Sequence, residues 1–502
     1  MPPKRPSRKA KTTSKVVKPS NVSKKTKKAV SSKVTKHAAV KADGRHRKTK
    51  PALNPTPTCK SQPLDIFVWG TGSMCELGLG PAAKTKEVKR PRLNPFLSKE
   101  NVGVVDIAVG GMHTLVLDKN NKVWSWGAND SFVLGRDTAG KEKLKEIAET
   151  KDDEDDDDDG DLNEAESTPG LVENLPTDVE NNKVIQLAAT DNLSAVLYEN
   201  GDVYAWGTFR CNEGLLGFSA DTKFQKTPKK MELKNIVQLA PGKDHILALD
   251  AYGKVFGWGD GQQYQLGRKV MERTRLQNLK PMPVTLKNIK YIASGDYHAF
   301  AIDHKGEVYT WGLNQYGQCG IKEDLVDGDT VTKPTKVTRL SDKNIVEIAC
   351  GEHHTLALSN DGSLYAFGRY DSFEVGIGKD DLPEYSFKDD HGKVRAVPFP
   401  TLLTKVPKFR SVATGSHHCL GITEDGAVYS WGYGDTYAVG QGPDGDDIEV
   451  PTRIKNTATQ DHDILVIGCG GQFSVSGGIK LSDEETEKRE DKIEDFEENR
   501  NA

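Results

Sequence analysis

The chain has 502 residues, of which 36% are hydrophobic and 28% are charged, and its formal net charge is −4. This length and balance provide for a large hydrophobic core and exclude a chain that is disordered throughout. No apolar run approaches the roughly 20 residues of a membrane span, and the N-terminal MPPKRPSRKA lacks the apolar stretch of a secretory signal. We therefore expect an intracellular protein with no membrane partner.

The first segment is strongly basic, since residues 1–60 contain 15 Lys and 4 Arg against one acid, Asp43. Like charges at this density repel one another and bury little apolar surface, so residues 1–62 are predicted to form a disordered basic tail. Two clusters are candidates for a nuclear import signal and for contacts with DNA phosphates. They are Lys24, Lys25, Lys27 and Lys28 in the first, and Arg45, Arg47 and Lys48 in the second.

Two further segments are acidic. Residues 152–159 are all Asp or Glu, inside an insertion at about residues 139–168, and residues 482–502 hold ten acids against four bases. By the same charge argument, both the insertion and an acidic C-terminal tail at residues 481–502 are predicted to be mobile. The folded part is then residues 63–480.

Within this part a phrase of the type IACGEHHTLALSNDGSLYAFG, residues 348–368, recurs. Its alternating apolar residues and turns such as Asn200-Gly201, Asp361-Gly362 and Asp425-Gly426 are typical of β-hairpins. A repeat of this length that is built from short strands indicates a propeller blade rather than a helical solenoid. The first glycine of the phrase, or a substitute for it, stands at Gly110, Thr190, Gly242, Gly295, Gly351, Gly415 and Gly470.

The seventh copy lacks the Trp-Gly that ends the others, whereas residues 64–70, LDIFVWG, form a strand with no partner before it. Pairing of residues 64–70 with residues 464–478 would complete one blade from both ends of the chain and remove unpaired edges. The predicted fold is therefore all-β, a seven-bladed β-propeller closed by its N- and C-terminal strands.

One copy is irregular. Six copies place nine steps between the aromatic residue and the closing glycine, as from Trp258 to Gly267, but Trp206 and Gly217 are eleven steps apart. Two extra residues in one blade are either a tolerated loop insertion or a functional projection.

The three positions after the first glycine of the repeated phrase divide into scaffold and surface positions. The third position is histidine in five copies, which indicates packing and hydrogen bonding within each blade, whereas the first two positions vary and are mostly polar. Seven such loops at one end of a propeller would form a polar ring that binds a partner.

No chemistry of its own is expected from this chain. The pairs His353-His354 and His417-His418 cannot chelate one ion, because adjacent strand residues point to opposite sides. The sequence has no phosphate-binding loop and no Ser-His-Asp or Cys-His set, so we expect no metal, no cofactor and no enzymatic activity. Seven scattered cysteines without a C-x-x-C pair indicate free thiols.

Three segments resemble those of a known protein family: GMHTLVLD at 111–118, ANDSFVLGRDT at 128–138 and TFRCNEG at 208–214. They are similar to the regulator of chromosome condensation family, whose founding member is the guanine-nucleotide exchange factor for the small GTPase Ran, and the fungal members look most similar. The match extends over all seven blades. The repeat alone is less specific, since adaptors and ubiquitin ligases share it.

The resemblance implies that the irregular copy is a two-stranded wedge that presses on the nucleotide site of the GTPase. It also assigns Asp191, Asp244 and His353 to the face that binds the GTPase. Three positions depart from the family pattern: Ser73 replaces an acid, and Cys211 and Glu213 replace an Asp and an Asn. The implied wedge comprises Thr208, Phe209, Arg210, Cys211, Asn212, Glu213, Gly214, Leu215 and Leu216.

The function implied by the resemblance is promotion of nucleotide release from Ran, on chromatin in the nucleus, to generate Ran-GTP. Its implied partners are Ran, a nuclear import receptor, and nucleosomes or histones and DNA through the basic tail. An alternative is a chromatin-bound propeller scaffold or adaptor without exchange activity. An enzyme on a propeller would need convergent catalytic residues that the sequence does not show.

Overall fold

The computed structural model describes residues 51–139, 162–176, 182–321, 325–326 and 328–501. These residues form seven antiparallel sheets of four or five strands and one two-stranded hairpin. The first strands of successive sheets contact one another around a central channel, so each sheet is one blade of a propeller. The predicted seven-bladed fold is confirmed.

The strands of each blade are given from the channel outwards. Blade 1 contains Val104–Val109, His113–Asp118, Val123–Gly127 and Gly170–Leu171. Blade 2 contains Val184–Ala189, Leu193–Tyr198, Val203–Gly207 and Gln225–Lys230. Blade 3 contains Ile236–Pro241, His245–Asp250, Val255–Gly259 and Met282–Pro283. Blade 4 contains Ile289–Ser294, His298–Asp303, Val308–Leu313 and Thr330–Lys336.

Blade 5 contains Ile345–Cys350, His354–Ser359, Leu364–Arg369 and Val394–Leu402, with Phe387–Lys388 as a fifth strand. Blade 6 contains Phe409–Thr414, His418–Thr423, Val428–Gly432 and Ile448–Arg453. Blade 7 contains His462–Cys469, Phe473–Lys480, Asp65–Thr71 and Glu87–Leu93.

The described helices are short except for the last. The α-helices are Glu164–Ser167 and Asp483–Asn501. The 3₁₀ helices are Ala83–Thr85, Glu272–Leu279, Thr338–Leu340 and Lys379–Asp381. Within the described ranges, no helix has both the length and the apolar character that a membrane crossing requires.

Blade 7 closes the ring as predicted. The N-terminal strand Asp65–Thr71 pairs antiparallel with Phe473–Lys480, in a register that runs from Asp65 opposite Gly478 to Gly70 opposite Phe473. The first and last strands of the propeller thereby pair with each other. This pairing removes the strand edges that would expose unpaired backbone groups.

In five blades, a tryptophan donates a hydrogen bond to the blade before it. The indole N–H of Trp126 donates to the carbonyl of Glu76 at 2.8 Å, and Trp206 does the same to Val133 at 2.6 Å. Each acceptor lies two residues before the closing glycine. Gly78 has a φ of +62°, and a Cβ there would lie 2.6 Å from the Trp126 ring nitrogen. The W-G…L-G spacing therefore places an indole N–H against a carbonyl of the preceding blade, beside a glycine that leaves room for the ring.

The repeated histidines also connect blades, which corrects the prediction that they bond within each blade. His113 lies 2.8 Å from the Ser194 hydroxyl, and His298 lies 2.7 Å from the Thr355 hydroxyl, in each case in the following blade. Burial lowers the pKa of His113 to about 3, so the ring stays neutral. These histidines therefore belong to the scaffold.

The acidic C-terminal segment, which was predicted to be a mobile tail, is instead docked on the propeller as a helix. It forms the helix Asp483–Asn501, in which Arg489 donates to the carbonyl of His462 at 2.6 Å and Ile493 is 3% exposed. Its acids also pair with bases of the propeller, as in Lys455 with Glu497 at 3.0 Å. Net charge alone was misleading because one apolar residue and one buried arginine dock the helix.

The ends of two other predicted mobile segments are likewise fixed. In the predicted basic tail, the Asn54 side chain is buried and donates to the carbonyls of Asp250 and Ile289 at 3.1 and 2.9 Å. In the acidic insertion, the N–H of Leu162 donates to the carbonyl of Pro81 at 2.7 Å, just before Glu164–Ser167. Residues 1–50 and 140–161 lie outside the described residues, so the disorder predicted there stays a prediction.

Candidate functional site

The loops that follow the first strand of each blade meet at one end of the channel, and we call this ring of loops the docking face. They surround a cavity of about 360 Å³ whose lining includes Gly110, Asp191, Gly242, Asp296 and Gly351. Neighbouring loops bond to each other, as in the N–H of Asp191 to the carbonyl of Lys243 at 3.1 Å. The polar ring predicted from the variable positions is therefore present as a continuous surface.

Beside this face, the eleven-step segment of blade 2 forms the hairpin Arg210–Cys211 and Gly214–Leu215, with Asn212 and Glu213 at its tip. Arg210, Asn212, Glu213 and Leu215 are exposed. Thr208, Phe209 and Leu216 are buried at its base. The structure thus divides the predicted wedge residues into a base that packs in the blade and a projecting hairpin, and we keep the name wedge for the hairpin, residues 210–215.

At the wedge, one of these inter-blade tryptophan hydrogen bonds is missing among the described residues. In the regular pattern, Trp258 would donate to the carbonyl two residues before Gly217, which belongs to Leu215. Leu215 instead lies in the wedge, and the buried Trp258 N–H has no hydrogen-bond partner among the described residues. An unmade buried hydrogen bond costs about 1–3 kcal/mol. The hairpin therefore stands where the repeat spacing would provide the acceptor for Trp258.

Asp244 holds the start of the wedge. Its Oδ1 accepts the backbone N–H of Arg210 at 2.9 Å and the side-chain amide of Asn192 at 3.1 Å. Burial raises the pKa of Asp244, and the N–H of Arg210 opposes that rise. The resemblance assigned Asp244 to GTPase contact; its position is that of a residue beneath the wedge.

Asp191 lies in a charged group at the channel mouth. Lys243 Nζ is 3.9 Å from a carboxylate oxygen of Asp191 and 3.6 Å from one of Asp296. Burial and the second carboxylate raise the pKa of Asp191, since one lysine compensates two acids only in part. Asp191 thus faces the cavity as one member of an acid–lysine–acid group.

His353 is 9% exposed and is enclosed by its neighbours. Its Nε2 is 3.1 Å from the Gln315 amide, and its Nδ1 is 3.7 Å from Glu352, which also lies 3.2 Å from His417. Burial alone would raise the pKa of Glu352, but His353, Lys243 and His417 outweigh it and lower the pKa to about 2. Glu352 therefore stays ionised and links the two histidines.

Of the predicted site residues, the structure places Asp244 against the wedge, Asp191 at the channel mouth and His353 farther round the ring, in blade 5. Ser73, where the family pattern has an acid, is exposed after the strand Asp65–Thr71. Lys24, Lys25, Lys27, Lys28, Arg45, Arg47 and Lys48 lie outside the described residues. Among the described residues, no cluster of His, Cys, Asp or Glu suits a metal ion.

Four residues of the face were predicted only as members of the polar ring, without a role of their own. Lys243, Asp296, Glu352 and His417 occupy the variable positions after the repeat glycine, so that position was their available signal. Gln262 and Arg275 belong to blade 3 yet contact Glu213 of the wedge at 2.8 and 3.0 Å. Nothing in the sequence connects these two residues to a hairpin some 50 positions earlier.

A family described as RCC1-like domain matches residues 65–476. "Guanine nucleotide exchange factor SRM1" from Saccharomyces cerevisiae is 63% identical over 441 residues, which are 86% of this chain and 91% of that protein.

Two solved structures are similar throughout. One is Prp20p from Saccharomyces cerevisiae, described with its binding properties to Gsp1p and histones: 59% identity, TM-score 0.81, 88% of this chain and 97% of that one. The other is yeast RCC1 (Prp20) bound by Kap60: 56% identity, TM-score 0.82, 92% of this chain and 100% of that one. With the family match, the seven blades and the hairpin beside the docking face, these likenesses show that the chain belongs to the RCC1-like family.

Proposed function

We propose that this chain is a guanine-nucleotide exchange factor that promotes nucleotide release from the small GTPase Ran. The observation that carries the proposal is the wedge, a hairpin in an otherwise regular blade that projects beside the docking face at the expense of a Trp258 hydrogen bond. The 63% identity to a protein named as a guanine nucleotide exchange factor supports the same activity.

The mechanism is coupling between two binding equilibria. A P-loop GTPase holds its nucleotide through backbone amides, a lysine and Mg²⁺. A protein that binds the empty GTPase best weakens nucleotide affinity by the factor with which nucleotide weakens its own binding. The docking face binds the GTPase, and the wedge makes this binding incompatible with nucleotide bound to the GTPase. No bond is made or broken by this chain, so it acts as an exchange factor rather than as an enzyme on a substrate of its own.

The proposed site of action is chromatin in the nucleus. The basic tail would bind DNA phosphates, and histones are a further partner, as for the Prp20p structure described with histones. The proposal also includes an import receptor that binds the tail, for which the complex of Kap60 with yeast RCC1 is the support. The direction of exchange follows nucleotide supply, so a GTP-rich nucleus would yield Ran-GTP.

A direct assay tests this function against the adaptor alternative. Ran is loaded with a fluorescent GDP, and release is followed with and without catalytic amounts of the full chain in excess GTP. An exchange factor accelerates release with multiple turnovers. A scaffold that binds Ran without exchange activity leaves the release rate unchanged, and that result would reject the proposal.

A further inference from the structure

The wedge is too small to hold its own shape. Each of its strands has two residues, Arg210–Cys211 and Gly214–Leu215, and the loop between them has two more. An isolated two-stranded hairpin is marginally stable even when its strands are longer. The direction of the projecting hairpin must therefore be set by contacts outside it.

Blade 3 supplies such contacts at the tip. The side-chain oxygen of Gln262 accepts the N–H of Asn212 at 2.9 Å, and its amide donates to both carboxylate oxygens of Glu213 at 2.8 Å. One side chain thus binds the backbone of one tip residue and the carboxylate of the other. Because both ends of its amide are used, rotation of the tip breaks all of these bonds together.

Arg275 adds a charged contact from a second element. Its guanidinium lies 3.0 Å from Glu213 and 2.7 Å from Glu272, which is in the same 3₁₀ helix, Glu272–Leu279. That helix is fixed in turn, since Arg268 donates to Asn278 at 3.2 Å. Glu213, which departs from the family pattern, is therefore turned towards blade 3 and held by both an amide and a cation.

Gln262 itself is presented by a stiff turn. Asp260 is 7% exposed, and its carboxylate accepts the N–H of Gln262 at 3.3 Å and the Gln265 amide at 2.9 Å. The support for the tip is thus a folded part of blade 3 and does not depend on the wedge for its own position.

We infer that Gln262 and Arg275 are positioning residues for exchange: blade 3 holds the wedge tip in the orientation in which it meets the nucleotide site of the GTPase. This inference rests on the proposed function. A wedge without these contacts would have to be ordered at each encounter, which lowers the rate of release after docking rather than docking itself.

The experiment measures GDP release from Ran by the full chain over a range of Ran-GDP concentrations. For the double variant Gln262→Ala/Arg275→Ala, the expected result is a kcat about tenfold lower with KM within about twofold, as for misplacement of a working group. Hydrogen exchange of the peptide that contains residues 210–215 should become faster. Glu272→Gln is the matched control, because it removes the other partner of Arg275 and leaves the wedge contacts in place.

A charge reversal separates positioning from folding. Arg275→Glu places a second acid beside Glu213 and should lower kcat, whereas Arg275→Lys keeps a cation there and should retain most of it. A rise in KM without a change in kcat, or equal losses of kcat in the lysine and glutamate variants, would overturn the inference. If shortening the wedge abolishes release while the double variant keeps full kcat, the anchors are passive and the proposed function still stands. If the unaltered chain releases no GDP, the proposed function itself fails.

Discussion

At the scale of single residues, the tryptophans of the repeat show what the two extra residues of blade 2 displace. Trp126, Trp206 and Trp311 each donate to a carbonyl of the preceding blade, whereas the buried Trp258 N–H has no described partner. An insertion in one blade is thus visible as a donor without a described partner in the next. Deviations from a repeat can be read in this way wherever the repeat has a known bonding role.

Two matched substitutions test this reading. Trp258→Phe and Trp311→Phe remove the same atoms from two fully buried sites, but only Trp311 loses a bond, the 2.8 Å contact to Gln265. We expect the free energy of unfolding to fall about 1 kcal/mol further for Trp311→Phe than for Trp258→Phe. Denaturant unfolding of both variants measures the difference, and equal losses would show that the Trp258 N–H is satisfied.

Glu76 gives a pH-dependent prediction at the same scale. The side chain is 3% exposed, and burial raises its pKa from 4.5 to about 7, against the opposing hydrogen bond from the N–H of Met74. Since the folded state then binds a proton more tightly than the unfolded state, its stability falls as pH rises between these values.

The Glu76→Gln variant cannot ionise at this position. Relative to it, the free energy of unfolding of the unaltered chain should decrease from about pH 4.5 to about pH 7 and change no further above that range. Thermal or denaturant unfolding of both proteins across pH 4 to 8 checks this, and parallel stability curves would contradict it.

At the scale of elements, local patterns were sufficient for most of the fold. The turn dipeptides lie at hairpin turns as predicted, as Gly201 does between two paired strands of blade 2, and counting the repeats identified the closure of blade 7. The segments that were predicted to be mobile are anchored by side chains whose partners are distant in sequence. Asn54 bonds to Ile289, and Ile493 packs against the propeller. A scan for charge and periodicity has no signal for one anchoring side chain.

The candidate site was also predictable only in part. The position of the wedge follows from spacing together with resemblance, and the docking loops follow from variable positions in the repeat. The pairing of Glu213 with Gln262 and Arg275 depends on how blade 2 stacks on blade 3, and only the folded chain contains that information.

Asn54 tests how firmly the segment before the propeller is attached. Its amide serves two backbone carbonyls, and its oxygen lies 2.9 Å from His304. Asn54→Ala leaves these groups without their partner and should lower the free energy of unfolding by about 1–3 kcal/mol. Leu53→Ala is the control, since Leu53 is 46% exposed and should change stability little. Equal behaviour of the two variants would mean that the segment contributes nothing to the fold.

At the scale of the whole molecule, charge is divided between a basic tail and an acidic remainder. If residues 1–50 bind duplex DNA through phosphates, log K should fall linearly with log salt, with a slope of about −0.9 for each phosphate neutralised. Binding assays at several salt concentrations measure the slope. A chain that begins at Pro51 keeps the Asn54 contacts and should lose DNA binding while it stays folded. A flat salt response, or undiminished binding by the shortened chain, would contradict this prediction.

If the wedge causes nucleotide release, deletion of Asn212 and Glu213 should remove most of the exchange activity. The deletion restores the nine-step spacing, so the propeller should fold with a normal circular dichroism spectrum while its hairpin no longer projects. GDP release from Ran is measured over a concentration series of the deleted and the unaltered chain. We expect a kcat lower by about a hundredfold or more, which a higher concentration of the deleted chain does not restore. Full activity in the folded deletion would show that the two extra residues are an idle loop.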